Sequence, residues 1–247
     1  MKILVLDTET TGLSKPFCYN VGYVIADTDT RQVLVEKDFV VEQVWHNVEL
    51  FSTAYYAEKR KLYVSAMKGR KAVMDKWGYI MQEMKRDIKY HNVEYAYAYN
   101  SPFDDNTFEY NCDWFKTYNP LDVIPIHDIR AFAIKAFVDA DYKTFCDTNN
   151  YYTDSGNYST TAETMYRYLF DDAFEEEHTA LADSKIELEI LFKALDKGID
   201  ITKDEKPPRS IEKKGKTFTV KKNGKTILTE TCDRIIVSKN KQTISIK

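Results

Sequence analysis

The sequence predicts an α/β protein over residues 1–205, a mixed sheet with helices on both faces, followed by a small antiparallel β meander over 206–247. Three observations predict it. Short apolar runs come early and helical periodicities are interleaved later, the order of a sheet covered by helices. Lys206-Pro207-Pro208 then marks a boundary, because neither proline can continue a helix. Beyond it the apolar period changes to 2, and Asn223-Gly224 stands between TFTV and TILT, a strong hairpin signal.

The elements follow in order. Residues 2–6 (KILVL) form a short apolar run ending at Asp7 and read as a buried strand. Residues 19–26 and 32–41 read as two more strands, joined through the turn signal DTDT at 27–30. Helices are expected over 52–66 and 70–89, the second with Val73, Trp77, Ile80, Met81, Met84 and Ile88 at helical spacing. YAYAY at 95–99 is a strand broken by Asn100-Ser101-Pro102, and 103–116 is a helix with Asp104 in its first turn. A short strand near 123–126 and a helix over 129–139 follow. Residues 140–160, rich in Asp, Asn, Ser, Thr and Tyr, read as a long loop. Helices over 161–170 and 179–196 close the body. In the tail, two further strands (234–238 and 243–247) flank Lys239-Asn240-Lys241, giving four in all.

Composition bounds the function. At 247 residues, 43% apolar and 30% charged, the chain can bury a sizeable core. It contains no apolar run long enough to cross a membrane as a helix. A motif beginning at Asp7 gives the expectation that no cleaved leader precedes the fold. The four cysteines (Cys18, Cys112, Cys146, Cys232) form no CxxC pair, which points to a reduced, cytoplasmic protein. Net charge is −4, but residues 206–247 carry 12 Lys and Arg against 3 Asp and Glu. A basic appendage thus follows an acidic body.

Three acidic motifs carry chemistry. Asp7-Thr8-Glu9-Thr10-Thr11-Gly12-Leu13 follows the first strand directly. Residues two apart on an extended chain point the same way, so Asp7 and Glu9 present two carboxylates to one side. Such a pair repels itself without a cation and is favourable around Mg²⁺ or Mn²⁺. Asn100-Ser101-Pro102-Phe103-Asp104 brings another carboxylate to a strand end, where it could equally serve the helix dipole. His178-Thr179-Ala180-Leu181-Ala182-Asp183 places Asp183 near the buried stripe of an apolar helix, where it needs a partner or a metal.

Taken together, the motifs resemble those of the DEDDh 3′→5′ exonucleases. The first is similar to Asp-x-Glu-T-T-G-L, the second (Asn100, Phe103, Asp104) to N-x-x-F-D, and the third (His178, Asp183) to H-x4-D. The resemblance spans about residues 1–200 and leaves out the tail. It implies a ribonuclease H-like fold and a metal-dependent hydrolysis of terminal phosphodiester bonds in single-stranded DNA or RNA. It also implies two divalent cations, Mg²⁺ or Mn²⁺, held by Asp7, Glu9, Asp104 and Asp183, with His178 as general base. Thr10, Gly12, Leu13, Asn100 and Phe103 match positions that contact the terminal nucleotide or line the groove, Leu13 as a wedge against a base. Packing is the structural alternative for Leu13, Asn100 and Phe103.

Other readings stand beside this one. The chain could be a nucleic-acid-binding module without turnover, or a proofreading module serving a polymerase or other replication protein in trans. The tail could pair edges across a homodimer. Its Lys213, Lys214, Lys216, Lys221, Lys222 and Lys225 could track phosphates or keep a small sheet soluble. Tyr151, Tyr152 and Tyr158 read as loop packing more than as base-stacking rings. His46, His91 and His127 lack ligand spacing, and Asp128, at a place often acidic in the family, is assigned no role.

Overall fold

The computed structural model describes residues 1–54, 58, 60–175, 177–208 and 211, and the backbone of 216–222, 225–232, 235–237 and 244–246. By internal contacts the chain divides into two units, Met1–Tyr142 with Thr160–Pro207, and Lys143–Ser159 with Pro208–Lys247.

The first unit is built on a six-stranded sheet, β4-β3-β2-β1-β5-β6. Its strands are β1 (Lys2–Thr10), β2 (Cys18–Asp27), β3 (Val33–Val41), β4 (Val73–Asp75), β5 (Tyr95–Ala98) and β6 (Ile126–Asp128). β1 and β2 are antiparallel, as are β2 and β3, whereas β1–β5, β5–β6 and β3–β4 are parallel. The helices are α1 (Glu42–Trp45), α2 (Val48–Phe51), α3 (Arg60–Lys68), α4 (Trp77–His91), α5 (Ser101–Phe115), α6 (Ile129–Phe137), α7 (Ala140–Asn149), α8 (Ala162–Leu169) and α9 (Ala180–Asp196).

The strand period of 2 sorts β1 between two layers. Leu4 and Leu6 join a core that contains Trp77, Ile80, Met81, Met84 and Ile88 of α4 and Phe108 and Cys112 of α5. Ile3 and Val5 are equally buried but point to the other face. There Tyr97 of β5 meets Phe132 of α6 with ring centroids 6.3 Å apart, and α6 packs on α9. The central strand is therefore apolar on both sides, as a sheet between two helical layers requires.

Several elements differ from expectation, each for a local reason. Of the helix expected over 52–66, α3 supplies the described α-helical part, and α2 lies before that range. Asn47 caps α2 by accepting from the Leu50 N–H, and α3 begins only at Arg60. The helix expected over 70–89 begins at Trp77. Val73–Asp75 instead pairs with Phe39–Val41 as an edge strand, and Val73 is exposed rather than part of the buried stripe. The strand expected near 123–126 lies at Ile126–Asp128, after a 3₁₀ turn at Pro120–Val123. The long loop expected over 140–160 begins as helix α7. The Asp139 carboxylate accepts from the N–H groups of Asp141 and Tyr142 and so caps it.

In the second unit, Tyr158 bridges to Tyr152 and to Ile211, and both Tyr152 and Tyr158 donate to the Asp147 carboxylate. The tyrosines of this stretch thus pack and hydrogen-bond locally, Tyr152 on Tyr158 and Phe145 on Tyr151. The expected four-stranded meander is instead two ribbons among the described residues: Lys216–Lys222 with Lys225–Cys232, and Ile235–Val237 with Ile244–Ile246. The side chains of the tail lysines lie outside the described residues. Among the described residues, no helix is long and apolar enough to cross a membrane. Cys18 and Cys112 are buried free thiols, and Cys146 is buried as well.

Candidate active site

Strand alternation continues past the apolar part of β1 and aims its polar end. Asp7 and Glu9 fall on the face of Ile3 and Val5, towards the layer of α9, and Thr8 falls on the face of Leu4 and Leu6. The β1–β2 register places Gly22 opposite Asp7 and Asn20 opposite Glu9. These two residues of β2 receive the start of α9. The Asn20 Oδ1 accepts from the Ala180 N–H at 2.9 Å, a donor that a helix N-terminus must satisfy from outside itself. A Cβ on Gly22 would lie 2.1 Å from the carbonyl carbon of Ala180 and from the nitrogen of Leu181, so only glycine lets the helix come this close. Ser184 completes the attachment by donating to the Gly22 carbonyl at 3.1 Å.

The attachment brings Asp183 to β1. Asp7, Glu9 and Asp183 each offer an oxygen within 4.8 Å of the others. Asp104, buried at the start of α5, is not in that group. Its Oδ1 accepts from Thr8 Oγ1 at 2.7 Å. Burial first, and then the charge of Asp7, pushes the Asp104 carboxyl well above the usual range. A further carboxylate, Glu187, lies one turn after Asp183 on α9 and is also buried. Burial, followed by the charges of Asp7, Asp104 and Asp183, raises it in the same direction. The strongest charges acting on both groups are thus other carboxylates. A divalent cation relieves that repulsion, and hard carboxylate oxygens suit Mg²⁺ or Mn²⁺. The donor set fits such ions.

Neighbouring side chains hold this end of β1 in place. Tyr19 donates to Glu9 Oε2 at 3.3 Å. Burial, and then the Glu9 charge, raises the Tyr19 phenol far above its ordinary value, so it remains a donor. Asn111 of α5 donates to the carbonyls of Pro16 and Thr107 and accepts from the Cys18 N–H, which fixes the end of the loop after β1. Thr11 donates from its backbone to the Phe17 carbonyl at 2.9 Å and closes that loop.

The residues expected at the substrate are placed as follows. Thr10 Oγ1 donates to the Gly12 carbonyl. A Cβ on Gly12 would meet open space, so the fold itself does not require glycine there. Leu13 is 83% exposed, which removes the core-packing alternative for it. Asn100 is exposed, with a left-handed φ of 65°, and Phe103 is half-buried in the first turn of α5. His178 stands two residues before α9, also left-handed, at φ 51°. His127 is buried, with its Nδ1 3.1 Å from the Ile201 carbonyl oxygen.

Sequence reasoning overlooked Tyr19, Asn20, Gly22 and Glu187. Only Glu187 left a local signal, because it follows Asp183 by four residues and shares its helix face.

Asp38 of β3 forms the next link. Its Oδ1 accepts from Asn20 Nδ2 at 2.6 Å, and it lines a cavity of about 560 Å³ with Tyr63, Lys71, Thr179 and Lys185. Burial pushes its carboxyl up to about 6, against the opposing pull of Asn20 and Lys185. The folded value exceeds the unfolded one of 3.8, so stability falls as pH rises between the two and the loss is complete above pH about 6. Asp38→Asn keeps an acceptor for Asn20. It is expected to raise the melting temperature at pH 8 by roughly 3 °C, the effect of about 1 kcal/mol in a chain of this size. The gain should shrink by pH 4.5. A gain equal at both values would show that charge is not its source.

No protein-family model and no curated protein matches the sequence. Solved structures do match. The nuclease domain of 3′hExo, a DEDDh family member, bound to rAMP, aligns over 86% of this chain and 96% of its own, at 15% identity and TM-score 0.52. A structure of 3′-end-specific recognition of histone mRNA stem-loop by a 3′-exonuclease covers 93% and 90%, at 12% identity and TM-score 0.57. A full-length 3′-exonuclease covers 94% and 67%, at 14% identity and TM-score 0.52. The chain therefore has the fold of a DEDDh-type nuclease domain, the ribonuclease H-like mixed sheet flanked by helices.

Proposed function

We propose that the chain is a metal-dependent 3′→5′ exonuclease acting on single-stranded DNA or RNA. One observation carries the reading: Asp7, Glu9 and Asp183, from two distant parts of the chain, converge within 4.8 Å on a fold shared with such a nuclease domain. Asp7, Glu9, Asp104 and Asp183 would hold two Mg²⁺ or Mn²⁺ ions. When bound, these supply electrostatic stabilisation to the attacking and leaving oxygens of an in-line displacement. Tyr19 and Thr8 keep the Glu9 and Asp104 carboxylates in fixed orientations. His178 acts as general base and takes the proton of the attacking water on its imidazole. Leu13 packs against the terminal base, and Thr10, Gly12, Asn100 and Phe103 line its path. The rAMP and the histone mRNA stem-loop named with the matching structures support a ribonucleotide ligand.

The test is a time course with Mn²⁺ or Mg²⁺ on 5′-labelled single-stranded DNA and RNA of one sequence, with His178→Ala in parallel. A ladder shortening from the 3′ end, lost in the variant, is the expected result and also gives the sugar preference. Absence of cleavage despite Mn²⁺ binding would turn the reading to a binding module.

A further inference from the structure

We propose that Glu187 and Asp128 are positioning residues for Asp104, two buried carboxylates that hold successive backbone amides of the corner between β5 and α5. The inference rests on the reading of Asp104 as a metal ligand given above. Glu187 Oε2 accepts from the Tyr99 N–H at 3.2 Å, and Asp128 Oδ1 accepts from the Asn100 N–H at 2.9 Å. Both side chains are buried, Glu187 on α9 and Asp128 at the end of β6.

The corner needs such anchors. β5 ends at Ala98 and α5 begins at Ser101, so the chain turns within two residues. Asn100 turns it through a left-handed conformation, which non-glycine residues adopt at a cost. Asn100 makes no side-chain cap to α5, and Pro102 occupies its first turn. The direction in which α5 leaves the sheet is therefore set at the amides of Tyr99 and Asn100. Asp104 follows four residues after Asn100.

Charge argues the same way. Burying Glu187 beside Asp7, Asp104 and Asp183 costs free energy that a leucine or methionine would not. An apolar side chain could fill the space but could not accept the Tyr99 N–H. Asp128 has a second task, since the same Oδ1 accepts from the Arg130 N–H and caps α6. One carboxylate thus ties the corner to a helix on the face of the sheet that carries α9.

The experiment compares Glu187→Ala, Glu187→Gln and Glu187→Met in the full chain. Two readouts are used: the Mn²⁺ dependence of the melting temperature, and the Mn²⁺ dependence of degradation of a 5′-labelled oligonucleotide. Glu187→Ala is expected to raise the Mn²⁺ concentration at half-maximal response by about tenfold, the usual effect of losing support behind a ligand. Glu187→Gln keeps an acceptor for the Tyr99 N–H and should titrate close to wild type. Glu187→Met fills the space without an acceptor and should follow alanine, so the Gln–Met comparison stands even if the alanine variant does not fold. Coincident titrations for Met and Gln overturn the proposal if both match wild type. They overturn it equally if both are impaired alike, because Glu187 would then act through its charge. A wild-type chain with no Mn²⁺ response overturns the reading of the site itself, whereas a wild-type response with an unaffected Glu187→Met variant overturns this inference alone.

Discussion

Asp7→Asn is expected to abolish 3′-end degradation while raising the melting temperature of the metal-free protein. The first effect follows from the chemistry. On the proposed two-metal reading, losing a carboxylate that would position the ions removes about 4 kcal/mol of transition-state stabilisation, near a thousandfold in rate. The second follows from the electrostatics of the empty cluster. Asp7 is the strongest charge acting on both Asp104 and Glu187, and its ligand oxygen lies within 4.8 Å of those of Glu9 and Asp183. Asparagine keeps the shape and removes the charge. Both raised carboxyls lie above their unfolded values, so their ionisation costs stability as pH rises. The gain from Asp7→Asn in EDTA should therefore be larger at high pH than at low pH. In Mn²⁺ the order should reverse, because wild type gains from the ion and the variant does not. Melting curves in EDTA and in Mn²⁺, beside a degradation assay, check all of this. Near-wild-type degradation by Asp7→Asn would falsify the site.

Gly22→Ala is expected to be the most damaging single methyl addition in the body. The new Cβ would fall 2.1 Å from two backbone atoms of α9, and backbone cannot swing aside as a side-chain end can. Either β2 bends or the helix lifts. Lifting also separates the Asn20 Oδ1 from the Ala180 N–H and leaves a buried donor and acceptor unmatched, at about 1–3 kcal/mol for each group. A total loss of roughly 4 kcal/mol or more places this among the exceptional substitutions. Any folded fraction should bind Mn²⁺ poorly, because Asp183 moves with the helix. Gly12→Ala is the stability control, since its Cβ meets open space and the melting temperature should not change. Equal melting temperatures for the two variants would show that α9 does not sit against Gly22.

The parts of the fold written in local pattern were legible. Asp7 and Glu9 could be placed on one side because strand alternation is local, and Asp183 could be placed near a buried stripe because helical spacing is local. Gly22 and Asn20 could not be found that way. Their importance comes from what α9 does some 160 residues later, and no periodicity within β2 announces a helix end resting on it. Tyr19 was hidden in the same manner, as one more aromatic in an apolar run, because its link to Glu9 is a side-chain contact made at the irregularity of the β1–β2 ladder. The element errors were also local rules losing to others. Val73 fits a helical stripe, yet the open edge of β3 offers Val73–Asp75 backbone partners that a helix start would not. Asp139 caps α7, so a polar stretch that looked like loop is helical for ten residues.

The pairing of β1 with β2 has a consequence for how this sequence can drift. Asn20 and Gly22 face α9, while Val21 and Tyr23 face the opposite core. A slip of one residue in the ladder would exchange the two sets. It would press Val21 and Tyr23 into the helix and bury Asn20 and Gly22 among hydrocarbon, so the seat of Asp183 and the core under α4 would fail in a single event. Residues 11–17 between the strands can lengthen or shorten only in ways that leave the ladder in step. β1, β2 and the start of α9 therefore act as one block, in which a change of register in one displaces the others.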